Sequence, residues 1–452
     1  MASDSIASKE SPRGPKGNFL IGSIQDYSQD PMGFSRRCAD EYGDVVAFSG
    51  LMFPGVQLNH PDQLEEVFVS KRDYFIKDQA LSILRLILGK GLLTSEGDFW
   101  QRQRRLMQPA FHRERIATYG ETMVDYTNRL LSTWQPGNVR DIHQEMMQLT
   151  VEIAAKTLFG ADVTDKATDI DKAMEVIIEY FGLRSTNPFL FFMPDWVPTA
   201  SNLRFRRVAK RMQNLITSIV QQRRASKEED TVDLLSMLLQ ARDEDGQPMS
   251  DQQLQSEIMT LLIAGHETTA NALTWALYLL AQHPDIEEQL ATELHTVLAG
   301  RSPTVDDYPR LAFTTQVVKE TLRLYPPAWA IGRTVAKPCE VGGVELKPGS
   351  FVFMSPWIVQ RDPRYFEQPD SFIPQRWSDG FEKQLPTFAY FPFGGGPRVC
   401  IGQAFAMMEL VLVLATICQQ FRFDLVNDKP VELWGAFTLR PRHGIQMALV
   451  KR

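Results

Sequence analysis

The stretch FPFGGGPRVCIG, residues Phe391 to Gly402, places a single cysteine, Cys400, shortly after three glycines and a proline. An apolar run, Ile401 to Cys418, follows it and predicts a helix. Glycines allow a tight turn that brings backbone N–H groups close to one atom, and the N-terminus of a helix favours an anion. We therefore predict a stabilised thiolate at Cys400.

A stabilised thiolate can bind zinc, attack an electrophile or ligate haem iron. A structural zinc site needs paired Cys or His ligands nearby, and none lie near Cys400 in the sequence. A tight turn with a buried, inert cysteine is the alternative. The fixed offsets of Phe393, Gly396, Arg398 and Gly402 around this cysteine resemble the haem-binding loop of the cytochrome P450 family. The resemblance implies that Cys400 is the thiolate ligand of the haem iron.

The composition is typical of a globular protein with a large core, because 44% of the 452 residues are hydrophobic and 23% are charged. The net charge of −7 argues against nucleic-acid binding. Four scattered cysteines without a CxxC pair favour a reducing cytoplasm. Since no linker or repeat is visible, we predict a flexible lead-in over residues 1–30 and a single haem-binding domain over residues 31–452.

The sequence shows no apolar segment long enough for a membrane span, and its N-terminus lacks a signal-peptide core. Microsomal members of the cytochrome P450 family carry an N-terminal membrane anchor. The resemblance is therefore to the soluble bacterial type, and we expect a cytoplasmic protein.

A long helix is predicted from Ser250, which can form a capping box with Gln253. In the middle of its apolar run stands Ala264-Gly265-His266-Glu267-Thr268-Thr269. A glycine costs about 1 kcal/mol inside a helix, and a threonine can bond its own helix carbonyls and locally open the hydrogen-bond ladder. Because such residues are poor for stability, their presence argues for function. The motif resembles the oxygen-activating segment of the family, which implies that Glu267 and Thr268 deliver protons to bound dioxygen.

Trp100 and Arg104 lie four residues apart in the segment 97–107 and share a helix face. An indole N–H and a guanidinium can together bind a carboxylate, although a solvated basic helix is the alternative. The spacing resembles the family helix that holds the haem propionates, and Arg333 resembles another propionate-binding position. The haem contacts that the resemblance implies are Trp100, Arg104, Ala264, Arg333, Pro392, Phe393, Arg398, Cys400, Gly402 and Ala406.

A further constellation is Glu320-x-x-Arg323 with Arg376 of the FIPQRW segment. An isolated Glu–Arg pair three residues apart is a weak signal. Together, the three residues resemble the Glu–Arg–Arg network that lies beneath the haem loop in the family. Gln375 and Trp377 replace the commoner acid and Phe, but neither replacement removes an arginine.

Three apolar or aromatic segments are expected to line or cover the substrate pocket, namely residues 80–93, 181–197 and 434–439. Simple core packing is the alternative for each. Their composition predicts a medium-to-large hydrophobic substrate, such as a fatty acid, a terpenoid or a steroid-like molecule.

The order of these motifs matches that of the cytochrome P450 family, and this resemblance implies a mainly α fold with a small β region, haem b as cofactor and O2 as co-substrate. The implied activity is that of a haem-thiolate monooxygenase. A peroxygenase, isomerase or dehydratase is the alternative, but such relatives commonly lack the acid–threonine pair. A haem sensor or carrier is a third class, but no output domain is visible. With no fused reductase in the sequence, we expect a ferredoxin or flavodoxin-type electron donor, which Arg102 and Arg105 would face.

Overall fold

The computed structural model describes residues 13–17, 22–48, 54–78, 80–187, 189–190, 193–225, 233–242, 246–427 and 429–452. Within these residues the chain is mainly α-helical with small β-sheets, which confirms the predicted fold class. Helices enclose the largest hydrophobic core, and a second core lies against the largest sheet.

The helices of the described residues are numbered in chain order. They are α1 (Ile24–Gln29), α2 (Pro31–Tyr42), α3 (Pro61–Glu65), α4 (Ala80–Leu88), α5 (Gly97–Met107), α6 (Arg113–Ser132), α7 (Ile142–Phe159), α8 (Ala167–Thr186), α9 (Ala200–Ala225), α10 (Leu234–Gln240), α11 (Asp251–Gln282), α12 (Pro284–Leu298), α13 (Ala312–Leu324), α14 (Pro356–Val359) and α15 (Gln403–Gln420). Helix α1 lies within the segment that the sequence predicts as a lead-in.

Within the part of the chain that the structure describes, the strands form four small sheets. They are β1 (Val45–Phe48), β2 (Gly55–Leu58), β3 (Phe75–Lys77), β4 (Val139–Asp141), β5 (Ile331–Val335), β6 (Cys339–Val341), β7 (Val344–Leu346), β8 (Phe351–Met354), β9 (Phe421–Leu425), β10 (Leu433–Gly435), β11 (Leu439–Pro441) and β12 (Gln446–Lys451). The largest sheet has the order β1-β2-β8-β5-β3, and a second has the order β4-β12-β9. Strands β6 and β7, and likewise β10 and β11, form two-stranded sheets.

Helix α11 runs through the main core, where it packs against α7, α13 and α15. It begins after Ser250, whose hydroxyl oxygen accepts a hydrogen bond from the Gln253 N–H at 3.2 Å. The predicted capping box is only half formed, because the Gln253 amide donates to the Lys90 carbonyl and to Glu257 instead. The Thr268 hydroxyl bonds the Ala264 carbonyl at 2.7 Å without interrupting the helix, so the predicted bond forms but does not open the ladder.

Two of the segments predicted to cover the pocket differ from expectation. Helix α8 continues past Phe181 to Thr186, with Arg184 buried and Leu183 exposed. Further along the connection, Phe189 and Trp196 are 75% and 70% exposed, so these two rings do not cover a pocket. Pro188, Phe191 and Phe192 of the same segment lie outside the described residues. The segment 434–439 is a hairpin of β10 and β11 rather than a turn alone.

Among the described residues, one helix, Gln403–Gln420, has the length and apolar composition of a membrane span. Most of this helix is buried inside the fold, as is usual for a core helix.

The Glu320 carboxylate is fully buried and gathers side-chain donors from two segments. One of its oxygens accepts from Arg323 at 2.8 Å and from Arg376 at 2.9 Å. The other accepts from Arg323 at 2.9 Å and from the Trp377 indole at 2.8 Å. The predicted trio is confirmed, and Trp377 in place of the commoner Phe adds a donor to it.

Gln360 connects this network to the segment that begins at Phe391. Its amide N–H donates to the carbonyls of Leu322 and Arg323, both at 3.0 Å, while its amide oxygen accepts from the Phe391 N–H at 2.9 Å. Arg323 in turn donates to the Gln360 carbonyl at 2.9 Å. The network therefore holds the start of the Cys400 loop.

The burial of Glu320 makes its charge essential to the fold. We expect Glu320→Gln to lower the free energy of unfolding by about 3–5 kcal/mol, because two buried guanidinium groups then lack a counter-charge. The matched control is Glu382→Gln, since Glu382 pairs with Lys319 at 2.6 Å but is 48% exposed. This control should cost less than about 1 kcal/mol. Urea titrations in which both variants lose equal stability would contradict the expectation.

Candidate active site

The Cys400 loop is shaped by two glycines with left-handed backbone conformations. Gly394 and Gly396 have φ angles of 73° and 64°, which side chains rarely adopt. A Cβ atom on Gly396 would also lie 2.0 Å from the Phe68 carbonyl oxygen. The loop closes where the Cys400 N–H donates to the Phe393 carbonyl at 3.0 Å. Glycine at these two positions therefore lets the loop lie directly against the segment around Phe68.

The Cys400 thiol lies between opposing electrostatic influences. The residue itself is exposed, yet many protein atoms surround its sulfur. Desolvation by these atoms raises the thiol pKa, while the Gly402 N–H and the Arg104 guanidinium act to lower it. Helix α15 begins at Gln403, with Gly402 as its N-cap residue. The predicted position at a helix entrance is correct, and burial opposes the predicted stabilisation of the thiolate.

The Cys400 loop contacts Trp100 and Arg104 of α5. It also contacts the short turn that follows α5. Arg104 donates to the Val399 carbonyl at 2.9 Å. The guanidinium of Arg398 lies over the Trp100 ring at 4.2 Å from its centre. A Cβ atom on Gly402 would lie 3.8 Å from the Phe111 ring and 3.9 Å from the Cys400 sulfur. The structure thus brings α5 and the turn after it against a loop that lies about 300 positions later in the sequence.

Arg333 belongs to a group of cations that the β3–β5 pairing assembles. In the antiparallel register Lys77 lies directly opposite Arg333. Burial, together with the positive charge of Arg398, lowers the pKa of Arg333 to about 10 and that of Lys77 to about 7. Glu96 partly offsets these charges, since it pairs with Arg398 and accepts from the Lys77 backbone N–H at 2.8 Å.

This concentration of positive charge indicates an anion-binding site. Like charges directly opposite one another in a sheet are destabilising. The Lys77 ammonium donates to the carbonyls of Leu92 and Leu93, and the Arg333 guanidinium lies over the Phe68 ring, so these contacts leave two positive charges side by side. Carboxylates held between them and Arg398 would relieve the repulsion. A haem carries two propionate carboxylates beside an apolar macrocycle, and the cations lie beside the loop that carries the thiol. The residues therefore fit a haem group.

The motif Ala264 to Thr269 stands out within α11 by its exposure. Ala264, Gly265 and Thr268 are half-exposed, whereas the residues before and after them on the helix are almost all buried. Gly265 is not required by packing, because an added Cβ would meet Ala154 at an ordinary 4.0 Å. These three residues therefore border an internal space. Phe393 and Ala406 are half-exposed in the same way, while Pro392 is buried.

Glu267 points away from that space into a polar part of the core. It is 1% exposed, and one carboxylate oxygen accepts from the Thr438 hydroxyl. Burial raises the pKa of Glu267, while the Thr438 hydrogen bond and the charge of Arg440 act to lower it. His266 is fully buried, and desolvation lowers its pKa to about 4.

An apolar cavity lies between α4, α8, α11 and the β10–β11 hairpin. All of its lining side chains are aliphatic, aromatic or methionine. They include Leu84, Ile87, Met174, Phe181, Ile263 and Phe437. Each of the three segments predicted to line the pocket contributes at least one residue to this cavity, although Phe189 and Trp196 of segment 181–197 do not.

Several residues of the site were not predicted from the sequence. Lys77 is placed by the pairing of β3 with β5, and Glu96 by its ion pair with Arg398. No sequence motif marks either residue. Met174 could have been found from the apolar periodicity of α8. Thr438 contacts Glu267 from a hairpin 171 residues away, a distance that no local pattern spans.

The comparisons with known proteins agree on one family. The cytochrome P450 family profile matches residues 12–447. Cyclooctatin synthase of Streptomyces melanosporofaciens is 40% identical over 90% of this chain and 89% of its own. Cyclooctat-9-en-7-ol 5-monooxygenase of the same organism is 35% identical, covering 80% and 79% of the two chains. Pentalenene oxygenase of Streptomyces avermitilis is 33% identical over 87% of each chain.

Among solved structures, the retinoic acid-bound cyanobacterial CYP120A1 superimposes with a TM-score of 0.86. The two chains share 25% sequence identity, and the match covers 98% of this chain and 99% of the other. The overall architecture is therefore shared along nearly the full length.

Glu257 of α11 accepts a hydrogen bond from the turn after α4, and its titration makes the free energy of unfolding depend on pH. Its buried carboxylate accepts from the Leu92 N–H at 2.8 Å, and burial raises its pKa to about 7. In the unfolded chain the pKa of a glutamate is about 4.3, so the native state holds its proton more tightly between these values. We therefore expect Glu257 to reduce the free energy of unfolding as the pH rises from about 4.3 to about 7.

Glu257→Gln should remove this loss. The difference in stability between the variant and the wild type should be constant below about pH 4 and should then shift in favour of the variant up to about pH 7. Urea titrations across this range provide the measurement. A difference that stays the same at every pH would contradict the assignment.

Proposed function

We propose that this chain, which belongs to the cytochrome P450 family of monooxygenases, hydroxylates a cyclic terpenoid in the cytoplasm. The observation that carries the proposal is the wholly apolar cavity beside Ile263 of α11, one residue before the motif that contains Glu267 and Thr268. The sequence relatives named above, which are bacterial, support both the class of substrate and the location.

Haem b, when bound, supplies the chemistry that activates O2 and inserts one oxygen atom into the substrate. Cys400 would be its thiolate ligand. Trp100, Arg104, Arg333 and Arg398 would hold the propionates, to which we add Lys77 because of its position opposite Arg333. Apolar surface would come from Pro392, Phe393, Gly402 and Ala406 on the side of the thiol, and from Ala264 on the side of α11.

Glu267 and Thr268 would move protons on the opposite side of the site. The Thr268 hydroxyl is held by the Ala264 carbonyl at 2.7 Å, which fixes its oxygen at the half-exposed face of α11. A hydroxyl so oriented can pass a proton to an oxygen atom in front of that face. Glu267 is the adjacent acid that would replace the proton. This pair supports O2-dependent chemistry over a peroxygenase, isomerase or dehydratase.

The cavity lining favours a terpenoid over a fatty acid. A carboxylate in the cavity would need a cation or several N–H donors, and every lining side chain is apolar. The cations Lys77, Arg333 and Arg398 are grouped beside the Cys400 loop, where the propionates would use them. A rigid polycyclic hydrocarbon needs no such partner, only apolar contact, which the side chains lining this small cavity offer.

A binding experiment tests this assignment. We expect cyclooctat-9-en-7-ol and pentalenene to shift the haem spin state and to bind more tightly than palmitate. Ile177→Phe should weaken terpene binding by filling the cavity, whereas Leu183→Phe on the exposed face of the same helix should not. Optical titrations give the dissociation constants. Tighter binding of palmitate, or equal effects of the two variants, would refute the terpenoid assignment.

The electron donor is proposed to be an acidic ferredoxin or flavodoxin that docks near Arg105. Arg105 is exposed at the end of α5, and Phe111 of the following turn lies close to Gly402 and Cys400. Arg102, which the sequence also assigned to this surface, is half-buried. Positive charge near the thiol on an otherwise acidic protein would steer a negatively charged partner to this side.

Charge reversal at Arg105 examines this docking surface. Arg105→Glu should slow reduction by the donor and flatten its dependence on salt, because the attractive charge is lost. Lys210→Glu, an exposed substitution on α9, is the control with the same change in net charge. Stopped-flow reduction at low salt is the measurement, with haem content as a check. Equal rates for both variants would place docking elsewhere.

A further inference from the structure

A chain of buried polar side chains leads from Glu267 to the first turn of α7. The Thr438 hydroxyl donates to Glu267, and the Asn271 amide N–H donates to the Thr438 oxygen at 3.1 Å. The other end of the Asn271 amide, its oxygen, lies 3.1 Å from the His143 Nε2 atom. All four side chains are buried. They connect α11, α7 and the residue that precedes β11.

The donors in this chain all point toward the carboxylate. Because Thr438 uses its hydrogen on Glu267, its oxygen accepts from the Asn271 N–H. The Asn271 oxygen is then left to accept from a His143 Nε2–H. Burial lowers the pKa of His143 to about 3, so the ring is neutral and carries one hydrogen. Aligned donors of this kind reinforce one another and stabilise negative charge at their end.

Other charged groups face the same carboxylate. Arg440 of β11 favours its ionised form, and Asp171 of α8 disfavours it. The second Glu267 oxygen is buried and has no hydrogen-bond partner among the described residues. Among the described residues, Thr438 is therefore the only hydrogen-bond donor to the Glu267 carboxylate. The second Glu267 oxygen remains available to another partner.

The residue before Thr438 belongs to the cavity. Phe437 lines the apolar space, and its ring packs edge-on against Phe181 with 5.3 Å between ring centres. Phe437 and Thr438 lie in the short connection between β10 and β11, where the Ala436 N–H donates to the Thr438 carbonyl at 3.2 Å. A ligand that displaces the Phe437 ring therefore acts on the backbone that carries Thr438.

We propose that Thr438 is a positioning residue that couples occupancy of the cavity to the orientation and protonation of Glu267. Without ligand, the Thr438 hydroxyl holds the carboxylate toward the hairpin. Ligand contact with Phe437 draws this hydroxyl away, and the carboxylate, having lost a donor that favours its charge, takes up one proton from solvent. The neutral acid is then free to turn toward Thr268. Protons are thus supplied when substrate is present.

This inference rests on the proposed monooxygenase function, but it has a test that needs no turnover. Infrared difference spectra of the holoenzyme report the C=O stretch of a protonated carboxyl group, and Glu267→Gln identifies the band by its loss. In the wild type, we expect the band to grow when cyclooctat-9-en-7-ol is added. In Thr438→Val the band should be present with or without the terpene, and should titrate at higher pH than in the wild type.

Two further variants separate positioning from general damage. Thr438→Ser keeps the hydroxyl and should restore the wild-type behaviour. Thr274→Val removes a buried hydroxyl from α11, the helix that carries Glu267. Among the described residues this hydroxyl bonds the Ala270 carbonyl, at 2.7 Å, so its removal should leave the Glu267 band and its pH midpoint unchanged. A Thr438→Val enzyme with the wild-type band and midpoint would overturn the proposal. Equal effects of Thr438→Val and Thr274→Val would also overturn it.

The same proteins distinguish failure of this inference from failure of the proposed function. If the terpene produces no spin-state shift, the substrate assignment fails, while the pH midpoint of the Glu267 band in Thr438→Val still tests positioning. If the terpene binds and is hydroxylated but the Glu267 band ignores both ligand and Thr438→Val, only the positioning role is lost. In the wild type, reducing equivalents should yield product, whereas Thr438→Val should divert more of them to hydrogen peroxide.

Discussion

Placing the proposed thiolate at Cys400 is the constraint on which the other features of the site depend. Burial raises the pKa of this thiol, so ionisation must be favoured by nearby donors and charges. The Gly402 N–H and the Arg104 guanidinium act in that direction. Arg104 keeps its place because it also donates to the Val399 carbonyl within the same loop. The loop and α5 therefore stabilise each other, and an iron bound to the sulfur would complete the compensation.

The loop that holds the thiol is fixed from two sides. On one side Gly396 lies against the Phe68 carbonyl, in a contact that excludes a side chain. On the other side Gln360 joins the N–H of Phe391 to the network around Glu320. The Gln360 support is buried and hydrogen-bonded, and the Gly396 contact leaves no room for a side chain, so both resist displacement of the loop. The fold therefore combines a rigid loop that carries the thiol with a helix, α11, that accommodates polar residues.

Some of these features are predictable from the sequence because they depend on spacing within one segment. Glu320 and Arg323 share a helix, and the Cys400 loop is a continuous stretch with glycines at fixed offsets. Lys77 escapes prediction because it becomes a site residue only by lying opposite Arg333 in a sheet. The half-formed capping box at Ser250 has the same cause, since the Gln253 side chain finds partners in a distant turn. Contacts between remote segments depend on tertiary packing, which local patterns do not encode.

The identity of the iron ligand is tested most directly by the spectrum of the reduced, carbon monoxide-bound protein. The wild type should give the red-shifted Soret band of a thiolate-ligated haem. Cys400→Ser, with its fold checked by circular dichroism, should lose that band because a serine hydroxyl cannot replace the thiolate. A Cys400→Ser protein that keeps the thiolate-type spectrum would contradict the assignment of Cys400, and with it the account of the site.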